Sequence, residues 1–371
     1  MAYGTINADK LVGSSGGTIN PDSSVFRNRI INGAMVIDQR NAGASVTPNG
    51  TYTLDRWSIS NSQTGKLTVQ QNAGSVTLPT GFTNYLGITS TSAYSVLTGD
   101  YFWLGQRIEG FNVGDLAWGT ASASAVTLSF KVYSSLTGTF GGVLRNNAGN
   151  YNYPFSYTVS SANTWTNISV TIAGPTSGTW VTNNGMGIEL DFSIGMGSTY
   201  GSGTAGAWTT SNYYAPTGSV NVVSTNGATF YITGVQLEKG STATSFDYRP
   251  YGTEFSLCQR YLPAWNSSVS NAPIAQGQAY STTSAYLNFP FKVSTRVPPT
   301  GITTTSASSF YLTNATYGVA GTFATIAIGY ASTESMIISV TATLGGLVAG
   351  NIVTLAANTT PTQILGTGCE L

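Results

Sequence analysis

The sequence predicts an all-β protein: an N-terminal extended arm, a large β-sandwich of jelly-roll type, a short linker helix and a smaller C-terminal β-sandwich. Three observations carry this. Of 371 residues, 41% are apolar and 12% aromatic, enough to build sizeable cores and too much for a disordered chain. The 44 glycines and 21 tyrosines, with abundant Ser, Thr and Asn and few Lys and Glu, favour short strands joined by tight turns. Alternating apolar residues recur along most of the chain, while helical spacing is nearly absent.

Residues 1–27 are rich in Gly, Ser and Thr and hold one apolar pair, Leu11-Val12, so they form no core and read as an arm that orders against a partner. Residues 28–250 read as a strand series. "TYTLDRWSIS" (51–60) alternates Tyr52, Leu54, Trp57 and Ile59 in a broken period of two. "AVTLSFKVYSS" (125–135) sets Val126, Leu128, Phe130 and Val132 on one face, and "WTNISVTIAG" (165–174) repeats this with Trp165, Ile168, Val170 and Ile172. "MGIELDFSIGMG" (186–197) and "ATFYITGVQLEKG" (228–240) follow, separated by turn clusters such as "NNAGN" and "GPTSG".

In 251–263, Thr253 is expected to cap a short helix from Glu254 to Tyr261. Phe255, Cys258 and Leu262 share one stripe of it, and Pro263 ends it. Residues 264–371 carry four charges, Lys292, Arg296, Glu334 and Glu370. Their stretches "TFATIAIGYAS", "SMIISVTATL" and "GNIVTLAAN" are apolar enough for strands buried on both faces.

Fourteen basic and fourteen acidic residues balance, so no net field draws nucleic acid or an anionic membrane. Charged residues are only 8% of the chain, so the surface is expected to be wetted by hydroxyls and amides, or else covered in good part by other subunits. The start lacks the basic and apolar pattern of a signal peptide, and no run suits membrane insertion. Cys258 and Cys369 read as free, buried thiols.

The chain has no histidine, which removes Ser-His-Asp and Cys-His nucleophilic sites and most catalytic zinc sites. Carboxylates remain. Glu189 and Asp191 lie two apart on one strand face, a spacing more often ion-bound than catalytic, and Glu109 is expected to pair with Arg107 or Arg56. No cofactor is implied and no metal ligands are assigned, although a jelly roll can hold a structural calcium ion.

Aromatic side chains among polar turns are the recognition candidates, since flat rings stack on sugar faces while amides and hydroxyls bond the sugar's own. Trp103, Trp118, Trp180, Trp208, Tyr213 and Tyr214 lie in or beside such turns. "GAWTTSNYYAPTG" (206–218) concentrates Trp208, Tyr213 and Tyr214, and with Trp103 and Trp118 these make the expected ligand-binding set.

The stretch "FRNRIINGAMVIDQRNAG" (26–43) crowds Arg27, Arg29, Arg40 and Asp38 into an otherwise uncharged body. "NRIINGAMVIDQRNAG" with "YTLDRW" resembles the start of a domain widespread in bacteriophage tail-fibre and other virion proteins. "FYITGVQLEKGSTATSFDYRPYGTEFSLCQRYL" resembles the end of that domain and the entry to the fibre's terminal domain, and "FPFKVSTRVPPT" (289–300) is similar to a strand of that closing domain.

The resemblance implies a carbohydrate-binding-module-like jelly roll over 28–250 and a C-terminal tip domain over 264–371. It also implies a homotrimer located in the virion as a tail fibre, assembled in the host cytoplasm and joined to a tail or baseplate protein through residues 1–27. Its function would be adhesion to a host-surface glycan without catalysis. The alternatives are a polysaccharide depolymerase using carboxylates and a structural capsid decoration protein. Asp38, Arg40, Asp55, Arg56, Asp247 and Arg249 are expected to pair where the domain's first and last strands meet, forming a structural clasp.

Overall fold

The computed structural model describes residues 11–12, 18–19, 26–313, 323–342 and 346–371. Of the expected arm, β1 (Leu11–Val12) pairs with β2 (Thr18–Ile19); the rest of 1–25 lies outside the described residues, as does Tyr317. The large unit contains β3 (Tyr52–Leu54), β4 (Trp57–Asn61), β5 (Leu67–Gln71), β6 (Leu86–Ser90), β7 (Tyr101–Glu109) and β8 (Val126–Ser134). It continues with β9 (Gly138–Arg145), β10 (Asn152–Val159), β11 (Thr166–Ile172), β12 (Met186–Met196) and β13 (Thr229–Lys239). Two antiparallel sheets result, ordered β10-β9-β12-β7-β4-β3 and β11-β8-β13-β6-β5. From β6 onward the chain crosses between sheets at almost every connection, the winding of a jelly roll.

Alternation produces the core. Val126, Leu128, Phe130 and Val132 of β8 face Ile188, Leu190, Phe192 and Ile194 of β12 across one continuous apolar layer. Each such side chain contributes about 1.5–3 kcal/mol by leaving water. The broken period of "TYTLDRWSIS" is a hairpin: β3 and β4 pair with Leu54 opposite Trp57, and Asp55-Arg56 make the turn, Arg56 at φ 70°. Trp165 departs from the expected face. It sits one parity off Ile168 and packs outside the sandwich against Tyr85 and Tyr133.

The opening stretch lies along β13. The Arg29 N–H donates to the Leu237 carbonyl at 2.9 Å, and Val235 N–H to Gly33 O at 2.9 Å. A Cβ on Gly33 would fall 2.2 Å from the Val235 carbonyl oxygen, so only glycine allows this approach. The helix α1 (Tyr251–Gln259) starts directly after Pro250, whose φ of −53° suits a helix entry. Thr253 is therefore inside the first turn and caps nothing. Cys258 packs with Ile31, Ile37 and Tyr261, so the expected linker is docked on the opening stretch. Cys258 and Cys369 are both free and buried.

The C-terminal unit comprises β14 (Ala264–Ser267), β15 (Pro273–Ala279), β16 (Ser284–Pro290), β17 (Gly301–Thr304) and β18 (Phe310–Thr313). Then come β19 (Phe323–Ala331), β20 (Ser335–Ala342), β21 (Ile352–Ala357) and β22 (Thr362–Thr367). A three-stranded sheet, β14-β22-β17, covers one face of a six-stranded sheet, β18-β21-β15-β16-β20-β19. The expectation that β19, β20 and β21 are buried on both faces is not met within one chain. Met336, Ile338 and Val340 face inward, but Tyr330 and Ile352 are 76% and 66% exposed, and no second layer covers the outer face among the described residues.

The six clasp residues divide. Arg40, Asp55 and Arg56 converge, and the acid that joins them is Glu370 from the end of the C-terminal unit. Arg40 Nη2 lies 2.5 Å from Glu370 Oε1, Arg40 Nε lies 3.7 Å from Asp55 Oδ1, and Arg56 Nη1 donates to Glu370 Oε2. The Arg56 guanidinium also lies 3.6 Å from the centre of the Tyr261 ring. Asp247 and Arg249 belong to a separate cluster, where Arg249 pairs with Glu254 at 3.1 Å and Asp247 Oδ2 accepts from the Asn28 N–H at 3.3 Å. Among the described residues Asp38 pairs with no cation: it accepts the Asn41 and Gly43 N–H groups at 2.9 and 2.7 Å, closing a local turn. The charged cluster thus ties the large sandwich to the C-terminal unit as well as closing the first domain on itself.

Candidate functional site

The connection from β12 to β13 carries the predicted loop, and it folds back onto the six-stranded sheet of the large sandwich. Gly203 N–H bonds to the Ala215 carbonyl at 3.1 Å, Thr209 N–H to Asn152 O at 2.8 Å and Gly206 N–H to Pro154 O at 2.9 Å. This return splits the expected ligand-binding residues into two sets. Trp103, on the outer face of β7, stacks beneath Tyr214 with ring centres 6.1 Å apart, and Arg145 lies 4.4 Å from the centre of the Tyr214 ring. Trp118 and Trp208 meet on the other side of the loop, 5.6 Å apart and edge to face. Tyr213 stands between the sets, half-buried.

Trp103 and Trp118 do not serve as sugar platforms: they are 6% and 8% exposed. The returning loop covers their faces, with Tyr214 over Trp103 and Trp208 against Trp118. The Trp118 indole N–H is also committed, donating to the Ser124 carbonyl at 2.8 Å. Tyr214 is held between Trp103 and Arg145, and burial raises its hydroxyl pKa.

What remains open is a rim at one end of the sandwich built by Tyr151, Trp180 and Trp208, all half-buried. Tyr151 stacks on Trp208 at 5.6 Å and 25°, and Trp180 stands perpendicular to both at 6.3 and 5.5 Å. Trp208 is anchored by its indole N–H donating to Ala173 O at 2.7 Å, and Trp180 by the same bond to Ser177 O at 3.1 Å. Gly178, at φ 90°, lets the chain pass: a Cβ there would lie 3.1 Å from the Tyr151 ring. Asn150 flanks the rim, exposed, while Asn146 is buried beneath it: its amide donates to Asn150 Oδ1 at 3.0 Å and Thr179 O at 3.2 Å and accepts the Asn150 and Tyr151 N–H groups.

The supporting segments 146–151, 173–185 and 197–228 contain no charged residue. Tyr151 escaped the sequence reading although it directly follows the "NNAGN" turn, the one local signal that places an aromatic at a loop tip.

The carboxylates are closed off. Glu189, 3% exposed, accepts from Arg107 Nε at 2.8 Å and lies 3.4 Å from Arg145 Nε. Asp191, on the same outer face of β12, is fully buried and its oxygens accept no hydrogen bond from the chain. Burial first, then the neighbouring Glu189, raise its pKa well above the ordinary range. Burial works against ionisation of Glu109 too, but Arg260, at 2.6 Å, and the Tyr261 hydroxyl, at 2.7 Å, outweigh it and hold its pKa low. The partner of Glu109 is therefore Arg260, not the expected Arg107 or Arg56. Their guanidiniums are taken by Glu189 and Glu370. Among the described residues, no group of three or more Cys, Asp or Glu side chains is placed to hold a metal ion, and no helix is long and apolar enough to cross a membrane.

Neither a protein-family model nor a curated protein sequence matches the chain. Solved structures do align with parts of it. The enzymatically active domain of tailspike protein 4 from bacteriophage CBA120 is 15% identical over 58% of this chain and 22% of that one, with a TM-score of 0.33. A candidate sugar-binding protein from Bacteroides thetaiotaomicron is 14% identical over 57% of this chain and 100% of that one, with a TM-score of 0.34. The family 11 carbohydrate-binding module of Clostridium thermocellum, in complex with a mixed-linked tetrasaccharide, is 12% identical over 54% and 98%, with a TM-score of 0.26. The aligned region thus spans less than a quarter of the tailspike's length and nearly all of the two sugar-binding proteins.

Proposed function

We propose that the chain is a bacteriophage receptor-binding fibre protein that adheres to a neutral host-surface glycan and does not cleave it. The observation that carries this reading is the uncharged rim of Tyr151, Trp180 and Trp208 with its flanking Asn150. Flat rings offer their faces to sugar C–H groups, and the exposed Asn150 amide supplies a donor and an acceptor for hydroxyls. The resemblance of residues 28–43 and 230–262 to phage fibre sequences supports the virion setting, in which residues 1–27 attach the chain to a tail or baseplate protein and three copies assemble.

The state of the acids supports adhesion without turnover. Glu189 is held between two arginines and Asp191 is sealed under the sheet's covering loop, so neither reaches a glycosidic oxygen. Retaining and inverting glycosidases both need two carboxyl groups facing the bond from opposite sides. Here the candidates share one strand.

The test incubates purified protein with host surface polysaccharide and measures retention and reducing ends together. Trp180→Ala with Tyr151→Ala is expected to lower affinity about 10-fold or more, since each lost ring contact costs about 1–1.5 kcal/mol. Multivalent display would amplify that loss. Unchanged retention by the folded double variant would remove the rim as the site. Released reducing ends that disappear with Glu189→Gln would establish the depolymerase reading instead.

A further inference from the structure

We propose that the outer face of the six-stranded C-terminal sheet is an interface that buries against a second copy of this chain. The face runs across all six strands, and its outward side chains include Ile352, Gln278, Tyr286, Ser339, Ile337 and Tyr330. None is charged. The four charges of residues 264–371 all stand elsewhere. Lys292 lies over the Phe255 ring, and Glu334 sits in the turn between β19 and β20. Arg296 donates to the Cys369 and Glu370 carbonyls, and Glu370 holds the junction.

A solvent-facing sheet normally alternates apolar-in with charged or strongly polar-out. This one instead leaves Tyr330 76%, Ile352 66%, Tyr280 48% and Tyr286 44% exposed. Tyr280 and Tyr286 stack on each other at 4.4 Å and 23°, a rigid aromatic anchor of the kind that concentrates binding energy. The adjoining edge strand β19 has no charge and no proline from 323 to 331, so it lacks the usual devices that keep an edge from pairing.

Size and chemistry choose the occupant. Six strands about 4.8 Å apart, with outward residues spanning about 20 Å along each, give roughly 500 Å² in projection. Side-chain relief raises this towards the ~800 Å² that each partner contributes to a stable interface. A charged partner surface would lose its hydration here without gaining a counter-ion. A copy of the same face brings no like-charge repulsion, and its amides and hydroxyls pair with their own kind. The strands β19, β20 and β21 have sequences suited to cover on both sides. The chain supplies one layer, and a second copy supplies the other.

Light scattering of the wild-type protein at micromolar concentration is expected to give a multiple of the chain mass. Tyr286→Lys with Ile352→Lys should weaken association at least 100-fold and yield single chains. Phe111→Lys, on an exposed position of the large sandwich, should leave the mass unchanged.

Because the lysine pair could impair folding, hydroxyl-radical footprinting of the unmodified protein provides the second measurement. Tyr280, Tyr286 and Tyr330 should be shielded while Tyr248 and Tyr251 are labelled. A wild-type monomer, an unchanged mass in the folded lysine variant, or full labelling of all five tyrosines would each overturn the proposal. Lost glycan retention at unchanged mass would assign this face to a saccharide and overturn it too.

Discussion

Glu370→Ala is expected to destabilise the folded chain by about 3–5 kcal/mol, the usual cost of stripping a buried ion cluster of one sign of charge. The Glu370 side chain is 12% exposed and bridges Arg40, 15% exposed, and Arg56, 1% exposed. Removing it leaves the Arg56 guanidinium deep in the junction with only the Tyr261 ring and a backbone carbonyl for company. Arg40 retains the more distant Asp55 at 3.7 Å. Water cannot hydrate either guanidinium without opening the contact between the two units.

Denaturant midpoints should therefore fall, and the C-terminal unit should begin to unfold separately from the large sandwich. Glu334→Ala provides the reference. That side chain is exposed in a turn, and its loss should change stability by no more than about 0.5 kcal/mol. Equal midpoints for the two variants would show that Glu370 contributes only surface electrostatics and that the clasp is not structural.

The residues of this clasp show where sequence reasoning reaches and where it stops. Arg40 and Asp55 could be paired on paper because both stand in charged stretches near the start of the domain, close in sequence. Glu370 is 330 residues from Arg40, and no local pattern announces that partnership. Strands were legible wherever one face met a core, as in β8, because alternation is a local signal. The hairpin turn at Asp55-Arg56 was visible only as a break in period, since the residue at positive φ is Arg56 rather than a glycine or asparagine.

Aromatic roles were the least legible. Trp118 and Trp180 sit in similarly polar sequence, yet one is buried and the other half-open, because a loop some 30 to 90 residues downstream decides which ring it covers. Periodicity reports which residues share a face. It cannot report whether that face meets the chain's own second layer, which is why β20 and β21 look doubly buried in sequence and yet, among the described residues, leave side chains such as Ile352 exposed on one side.

Asp55→Asn is expected to change the pH dependence of stability by about 4 kcal/mol between pH 4 and pH 8. Burial pushes the Asp55 carboxyl from 3.8 up to about 7, against the pull of Arg40 and of the Gln39 N–H, which donates to Oδ2 at 2.8 Å. Between those two values the folded chain holds a proton that the unfolded chain has released. The stabilisation from this group is therefore complete below about pH 4 and is lost as pH rises through about 7, at up to about 1.4 kcal/mol per pH unit.

Other acids overlay their own dependences: Asp191 is shifted in the same direction as Asp55, and Glu109 and Asp100 in the opposite one. The difference between wild type and variant cancels them. Asparagine keeps an oxygen for the Gln39 N–H and has no proton to lose, so its stability relative to wild type should improve steadily from pH 4 to pH 8. Urea midpoints at unit pH steps measure this directly. A difference that stays constant across the range would mean that Asp55 keeps an ordinary carboxylate pKa in the fold, with Arg40 rather than burial governing its charge.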